Sequence, residues 1–357
     1  MNDEPRQSPD VPADGEEASE LTRGYAAVAP AARELFDAEF LGQLEYLRIV
    51  SRRAFAGVQP ASRRGLKPGP GLEFSAHRPY AEGDDFRYLD WAAYGRLDRL
   101  LLRLFQQDED LAIAILVDVS DSMLAGAGPS GAAAGAAAGA PTRGGHAWRK
   151  VDHARRLAAA LAYIGLSNLD RIRLMAFAGG EAASLRTRRG CGQIFSVLDF
   201  LAGAPLGGQT DLRRATDQLQ QHMSERGLVA VISDFLGRAP GPAADNDAAT
   251  HLYGFEDGLG RLHYQGHEVW AILVEAPEEI HPPLESEVEL VDAETGRAAQ
   301  LRVTPERVAR YLEQRDAFLR HFDRWTTERG IAHLRARTDV AADELVLDVM
   351  RRGGFVK

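Results

Sequence analysis

The stretch LAIAILVDVSDSM (residues 111–123) joins an apolar run to a short series of acids and serines. Residues 111–117 are all apolar and have the pattern of a buried strand. Asp118, Ser120 and Ser122 follow at alternate positions, so a loop can turn three oxygens toward one point. Carboxylate and hydroxyl oxygens suit a hard cation such as Mg²⁺. The stretch therefore predicts a strand that ends in a candidate cation site.

Segments with helix and strand patterns alternate along the rest of the chain. The predicted helices cover residues 151–169, 194–201, 212–223, 250–262, 305–329 and 343–352, and the predicted strands cover 172–177, 228–232, 269–274, 331–334 and a hairpin over 288–303. This alternation predicts an α/β fold with a doubly wound, mostly parallel sheet. In such a sheet, ligands bind at the carboxyl ends of strands near the switch in strand order. The loop after residue 117 is expected at this position.

The part of the chain ahead of this stretch divides into a tail and an extension. Residues 1–30 are rich in Pro, Glu, Asp and Ala, which predicts a disordered acidic tail. Residues 31–110 are predicted to form an N-terminal extension of helix plus strand. Apolar residues recur at helical spacing over 31–56, and a short strand is predicted over 72–77.

The predicted α/β domain covers residues 111–357, and two further predictions concern its beginning. The apolar runs 100–105 and 111–117 are predicted to be neighbouring strands. Residues 125–146 are nearly all Ala, Gly, Pro and Ser at their centre, which predicts a flexible insertion just after Ser122.

Composition restricts the classes of function. The chain has 357 residues and a net charge of −10, which does not suit a general nucleic-acid binder or docking on an anionic membrane. One cysteine, Cys191, rules out an intramolecular disulfide and favours a reducing compartment. No apolar run approaches the roughly 18 residues of a membrane span, and the N-terminus lacks a signal-peptide pattern. The sequence therefore predicts a soluble, cytoplasmic protein without a membrane span.

Two more segments bring oxygen ligands to the candidate site. GGQTDL (207–212) has Thr210 at a predicted helix start, and VISDF (231–235) has Asp234 at the end of a predicted strand. Together with the first loop, they resemble the metal-dependent adhesion site of von Willebrand factor A domains. The resemblance implies a von Willebrand factor A or Rossmann-like fold and a set of metal residues: Asp118, Ser120, Ser122, Thr210 and Asp234.

The same resemblance implies how such a site works. In that family the serines, and often the threonine, coordinate the metal directly, and the aspartates act partly through water. One coordination position stays open for an Asp or Glu carboxylate of a partner protein. Because few direct ligands are anionic, the metal remains electrophilic. Mg²⁺ is the expected ion and Mn²⁺ accepts the same oxygens, while a degenerate site that binds no metal is the alternative.

A second distinctive stretch, RPYAEGDDFRYLDW (78–91), lies ahead of the α/β domain. It closely resembles the signature of the "domain of unknown function 58" family, whose members carry a von Willebrand factor A-like domain after it. The signature residues are Arg78, Tyr80, Gly83, Asp84, Asp85, Arg87, Asp90 and Trp91. One interpretation is a structural brace, with a charge network of Arg78, Arg87 and Asp90 above a packed Trp91. The other interpretation is a docking surface.

The leading hypothesis is a Mg²⁺-dependent protein-interaction module and not an enzyme. The family resemblance implies a MoxR-type AAA+ ATPase as partner, for which the chain would act as adaptor or cofactor in the assembly or maturation of protein complexes. A Mg²⁺-dependent phosphoester hydrolase is the first alternative, although no histidine lies in the three loops. A purely structural scaffold is the second alternative.

Overall fold

The computed structural model describes residues 25, 28–57, 64–68, 73–81, 84–108, 112–125, 148–168, 170–223, 225–237, 254–282, 288–291 and 298–352. Most of the predicted acidic tail and nearly all of the predicted Ala/Gly insertion lie outside these residues.

The described strands and helices follow the alternating order that the sequence predicts. The strands are β1 (Arg64–Pro68), β2 (Glu73–Pro79), β3 (Leu101–Asp108), β4 (Ala112–Asp118), β5 (Arg171–Phe177), β6 (Ala183–Arg186), β7 (Leu228–Ser233), β8 (Glu268–Glu275), β9 (Val288–Val291), β10 (Ala298–Leu301) and β11 (Ala332–Arg337). The helices are α1 (Pro30–Leu35), α2 (Ala38–Gly57), α3 (Trp91–Leu97), α4 (Lys150–Ser167), α5 (Ile194–Gly203), α6 (Leu212–His222), α7 (Phe255–Tyr264), α8 (Pro277–Ile280), α9 (Pro305–Glu328) and α10 (Ala342–Arg352).

The central sheet has the strand order β11-β8-β7-β4-β5-β6. Its neighbouring strands are parallel, except that β6 runs antiparallel to β5 at one edge. The chain enters the sheet at β4, adds β5 on one side and later adds β7 on the other. The strand order therefore switches at β4, and the carboxyl end of β4 lies at this switch.

Helices cover both faces of this sheet, because the strands bury side chains on both. Ile113, Ile115 and Val117 of β4 pack in the core with α1, α2, α4, α5 and α10. Ala114 and Leu116 of β4 pack in a second core with α6, α7 and α9. This arrangement confirms a mixed α/β fold with a mostly parallel sheet flanked by helices.

Helix α4 lies at the centre of the first core, and all of its residues are buried. Its charged residues are therefore held by specific partners. The Arg156 guanidinium lies 4.4 Å from the ring centroids of both Phe40 and Trp148 and donates to the Leu35 carbonyl at 3.0 Å. The helices α1 and α2, predicted as part of an extension, thus pack directly on the α/β core.

The prediction that the runs at 100–105 and 111–117 are neighbouring strands is wrong. Strand β3 pairs with β1 and β2 in a separate antiparallel sheet of order β1-β3-β2, whereas β4 pairs with β5 and β7. Strand β1 falls in a Gly-, Pro- and Arg-rich stretch that is typical of a loop. Its backbone pairing with β3 does not depend on apolar side chains, so composition does not reveal it.

The hairpin predicted over 288–303 is confirmed as the antiparallel pair β9 and β10. Helix α7 begins at Phe255, whereas the sequence predicted a helix from 250, and residues 250–253 lie outside the described part of the chain. The sequence patterns did not predict α3 or the edge strand β6.

Candidate metal site

The candidate metal site lies where the parallel neighbours β4 and β7 end, at Asp118 and Ser233. A third segment, the loop before α6, is fastened to the first loop. Asp121 donates its N–H to the Gly208 carbonyl and accepts the Gly208 N–H at its side chain, both at 2.9 Å. Gly207 has a φ of 106° and a Cβ there would lie 3.1 Å from Asp121 Oδ1, so this close approach favours glycine.

Four of the five predicted metal residues form one hydrogen-bonded cluster. Thr210 Oγ1 donates to Ser120 Oγ at 2.8 Å, and Ser120 Oγ lies 3.2 Å from Ser122 Oγ. The carboxylate of Asp118 accepts the Ser120 N–H at 3.0 Å and lies 3.3 Å from Thr210 Oγ1. The fold therefore brings together oxygens from two segments about 90 positions apart in sequence.

Asp118, the one acid among these four residues, is fully buried. Burial, and after it the charge of Asp234, raise its pKa from the ordinary value of 3.8 to about 6. Hydrogen bonds from Ser120 and from the Ser233 hydroxyl, which donates at 2.6 Å, oppose this increase. Two carboxylates so placed repel each other, and a bound cation would relieve that repulsion.

The fifth predicted residue, Asp234, already has a cationic partner. Lys150, the first residue of α4, donates from Nζ to Asp234 Oδ2 at 2.8 Å and to Glu279 Oε1 at 2.6 Å. Burial lowers the pKa of Lys150, but the charges of Asp234 and Glu279 outweigh burial and raise it above its usual range. The Lys150 side chain is therefore a buried ammonium ion.

The sequence analysis did not identify Lys150 or Glu279. A lysine at the start of a helix is common, and its two acidic partners lie 84 and 129 positions away in the sequence. Only the arrangement of α4, β7 and α8 around the end of the sheet places these three side chains together.

The donor set fits a hard cation. Among the residues that the structure describes, no group of three or more His, Cys, Asp or Glu side chains is placed to hold a metal ion. The predicted set contains only two such residues, and its other donors are hydroxyls. Oxygen-only donors suit Mg²⁺ or Mn²⁺ rather than softer metals. Asp118, Ser120, Ser122 and Thr210 would hold the ion, and Asp234 would be shared with the ammonium of Lys150.

A cleft of about 240 Å³ adjoins Asp234 on the side of α9. Its walls combine apolar side chains with polar ones: Leu236, Leu273, Val274, Phe318 and Leu319 with Asp234, Glu275, Glu279, Tyr311, Gln314 and Arg315. The Tyr311 hydroxyl donates to the Glu279 carbonyl at 3.1 Å, which joins α9 to α8 at the cleft. A side chain of another molecule has room to enter beside Asp234.

The residue after Asp234 fixes the direction of the loop. Phe235 has a φ of 55°, in the left-handed region that non-glycine residues seldom adopt. Its ring packs 5.2 Å from that of Phe322 on α9 and 6.1 Å from that of Phe255 on α7. This aromatic packing offsets the backbone strain and holds Asp234 at the end of β7.

In the part of the signature that the structure describes, the two arginines form separate ion pairs with nearby aspartates. Arg78 pairs with Asp84 at 2.8 Å and Arg87 pairs with Asp85 at 2.6 Å, and the hydrogen bonds from these arginines hold the pKa of each acid below its usual value. Asp90 accepts the Ala93 N–H at 2.9 Å and so caps α3. Gly83 lies outside the described residues.

The prediction that Trp91 packs beneath the signature is wrong. Trp91 is 63% exposed on α3 and contacts Tyr94 edge-on at 6.3 Å between ring centroids. Tyr80 stacks on Phe86, which is 65% exposed. Helix α3 buries only Ala93, so its large apolar side chains remain at the surface.

Fold and site together define an α/β protein with a carboxylate and hydroxyl cluster at the carboxyl edge of a mostly parallel sheet. A family model described as "Protein of unknown function DUF58" matches residues 76–320. The chain belongs to this family.

The chain is also similar to uncharacterized relatives and to two solved structures. Uncharacterized proteins of Mycobacterium tuberculosis and Mycobacterium bovis are 27% identical over 275 residues, which is 76% of this chain and 76% of each relative. The chain is similar to the conserved hypothetical protein BatB of Bacteroides thetaiotaomicron, at 13% identity, a TM-score of 0.37, and coverage of 68% and 99%. An aerotolerance-related membrane protein of Bacteroides fragilis matches at 15% identity, a TM-score of 0.37, and coverage of 68% and 100%.

The predicted cytoplasmic location does not stand. No helix in the described part of the chain combines the length and apolar character that crossing a membrane requires. The matching structure from Bacteroides fragilis is described as that of a membrane protein. The prediction rested on the lack of an apolar span, and this observation does not decide the compartment.

Proposed function

We propose that this chain is a Mg²⁺-dependent protein-interaction module with a von Willebrand factor A-like domain. In this proposal Asp118, Ser120, Ser122, Thr210 and Asp234 hold the ion, and an Asp or Glu of a partner protein completes its coordination. The observation that carries the proposal is the hydrogen-bonded cluster of Thr210, Ser120 and Ser122 around the buried Asp118.

The chemistry of the cluster supports recognition of a carboxylate. Three of its donors are neutral hydroxyls, so a divalent ion held there keeps much of its positive charge and attracts an incoming acid. The cleft beside Asp234 gives the rest of a partner segment a place to pack. Leu236, 39% exposed, lies on its wall and offers apolar contact.

The partner that we propose is a MoxR-type AAA+ ATPase, for which this chain serves as adaptor or cofactor in assembling or maturing protein complexes. This part of the proposal is supported by the family resemblance. An ATPase of this type would offer an acidic side chain to the bound ion.

The test compares capture of the MoxR-type ATPase of the same organism by the wild-type chain, Asp118→Ala and Glu225→Ala, each in Mg²⁺ and in EDTA. Glu225 is an exposed acid beside the amino end of β7 and serves as the matched control. We expect capture only in Mg²⁺, by the wild-type chain and by Glu225→Ala.

Equal capture by all variants, with or without the chelator, would contradict the proposal and favour a metal-independent scaffold. The same samples, together with Asp234→Ala, are assayed with a generic phosphoester substrate. Mg²⁺-dependent turnover that disappears in Asp234→Ala would favour a hydrolase instead.

A further inference from the structure

We infer that Lys150 is a built-in cation that competes with a divalent ion for Asp234, and that Glu279 is the second acceptor that retains Lys150 when the ion binds. The inference rests on the proposed metal site. It deepens that proposal by naming the two residues that set the affinity of the site for its ion.

The geometry places one ammonium between an acid of the site and an acid outside it. The Lys150 and Asp234 side chains are 1% and 2% exposed, whereas the Glu279 side chain is 27% exposed in the wall of the cleft. An ammonium has three N–H donors, and these two acids accept from Lys150 Nζ at the same time. Lys150 therefore needs only to give up Asp234, and does not need to leave the site.

Both ends of this exchange are anchored by the backbone. The Lys150 N–H donates to the Ala125 carbonyl at 3.0 Å, which fixes the start of α4. Glu279 Oε2 accepts the Ala276 N–H at 2.9 Å, which leaves Oε1 directed at Lys150. A shift of Lys150 from two acceptors to one is thus a side-chain movement within a fixed frame.

The charges explain why such a residue is useful. Without an ion, Lys150 supplies the charge opposite to the two acids that accept from its Nζ, Asp234 and Glu279. When a divalent ion arrives at Asp234, the ammonium and the ion repel each other at short range. Repulsion between a +1 and a +2 charge a few ångströms apart weakens binding by about tenfold or more, even at the dielectric of a protein surface.

The experiment measures binding of Mn²⁺ alone, by calorimetry and by the loss of the free-ion electron paramagnetic resonance signal. Three variants are compared with the wild-type chain: Lys150→Met, the double variant Lys150→Met/Glu279→Gln, and Glu278→Gln. The double variant removes one charge of each sign, so the net charge of the site is unchanged. Glu278 is the exposed neighbour of Glu279 and controls for the loss of a nearby acid.

We expect Lys150→Met and the double variant to bind Mn²⁺ about tenfold more tightly than the wild-type chain, with Glu278→Gln unchanged. If Lys150→Met does not fold, as judged by circular dichroism, the double variant alone decides. Tighter binding by a variant of unchanged net charge identifies removal of the competing ammonium as the cause.

The outcomes separate this inference from the proposed function. Binding by the wild-type chain with an unchanged Kd in the double variant would overturn the inference and leave the metal site standing. Binding by the double variant only would support the inference, because Lys150 then takes the place of the ion, and would overturn Mg²⁺-dependent function of the native chain. Binding by neither protein would overturn both.

Discussion

The carboxyl edge of the central sheet and the signature segment 78–91 are both polar clusters that stand out in the sequence, yet the fold uses them differently. At the edge, Lys150 bonds to two acids that lie 84 and 129 positions away in the sequence. Asp118 and Lys150 are fully buried there. In the signature, the arginine and aspartate pairs lie two to six positions apart, and they are partly buried (Arg78 with Asp84) or exposed (Arg87 with Asp85). The comparison indicates that distant, buried pairs depend on the whole fold, whereas pairs near in sequence brace only their own loop.

The largest effect is expected for Lys150→Met. This change leaves the buried carboxylate of Asp234 without its counter-charge, which typically costs about 3–5 kcal/mol of unfolding free energy. Urea unfolding at pH 7.5 in EDTA measures it, and Glu279→Gln in the same background is expected to recover part of the loss. A loss below about 1 kcal/mol would show that the edge does not depend on this ion pair.

Asp118→Asn is expected to stabilise the metal-free protein. The native pKa of Asp118, about 6, exceeds the ordinary value of 3.8, so its contribution is complete below pH 3.8 and is lost as pH rises through 6. At pH 7.5 a neutral isostere avoids that cost, worth about 1–3 kcal/mol. Urea unfolding in EDTA and, separately, Mn²⁺ binding are measured for the wild-type chain and the variant. We expect Asp118→Asn to be more stable than the wild-type chain and not to bind Mn²⁺. Lower stability would mean that the charged carboxylate is itself structural.

His153 on α4 is expected to give the unfolding free energy a pH dependence opposite in sign to that of Asp118. Burial, with the charge of Arg156, lowers the pKa of His153 to about 3, against the effect of Asp339. Its contribution is complete above the ordinary value of 6.5 and is lost as pH falls from there toward 3, by up to about 2 kcal/mol at pH 5.

Urea midpoints of the wild-type chain and His153→Gln at pH 7.5 and pH 5 test this prediction. The wild-type chain should lose more stability than the variant between the two pH values. The contribution of Asp118 is common to both proteins and cancels. Equal losses would mean that His153 is protonated in the folded protein at pH 5.

The smallest effect on stability is expected in the signature. Trp91→Ala removes a side chain that is 63% exposed and contacts Tyr94, so the unfolding free energy should change by no more than about 0.5 kcal/mol. Thermal unfolding and capture of the proposed ATPase are measured on the same sample. A stability loss above about 1 kcal/mol would contradict the view that the signature braces only its own loop. Lost capture at unchanged stability would favour the docking interpretation.

Periodicity and motif spacing predicted most of the central sheet and four clustered oxygens of the site. These features follow from local sequence, because a strand that is buried on both faces must be apolar and its polar ending marks its edge. Lys150, Glu279 and the exposed Trp91 were not predictable in the same way. Their surroundings are set by elements distant in sequence. A lysine at a helix start and a tryptophan in a charged segment do not by themselves indicate whether the side chain is buried or exposed.

The left-handed backbone of Phe235 has a thermodynamic consequence. Its conformation persists because the rings of Phe255 and Phe322 hold it, so the position of Asp234 and the seating of α9 against the sheet are two properties of one packed unit. At the proposed metal site, an ion that displaced Asp234 would therefore also act on the position of α9. By linkage, a molecule bound against α9 would then change the affinity for the ion by the same factor as the ion changes the affinity for that molecule.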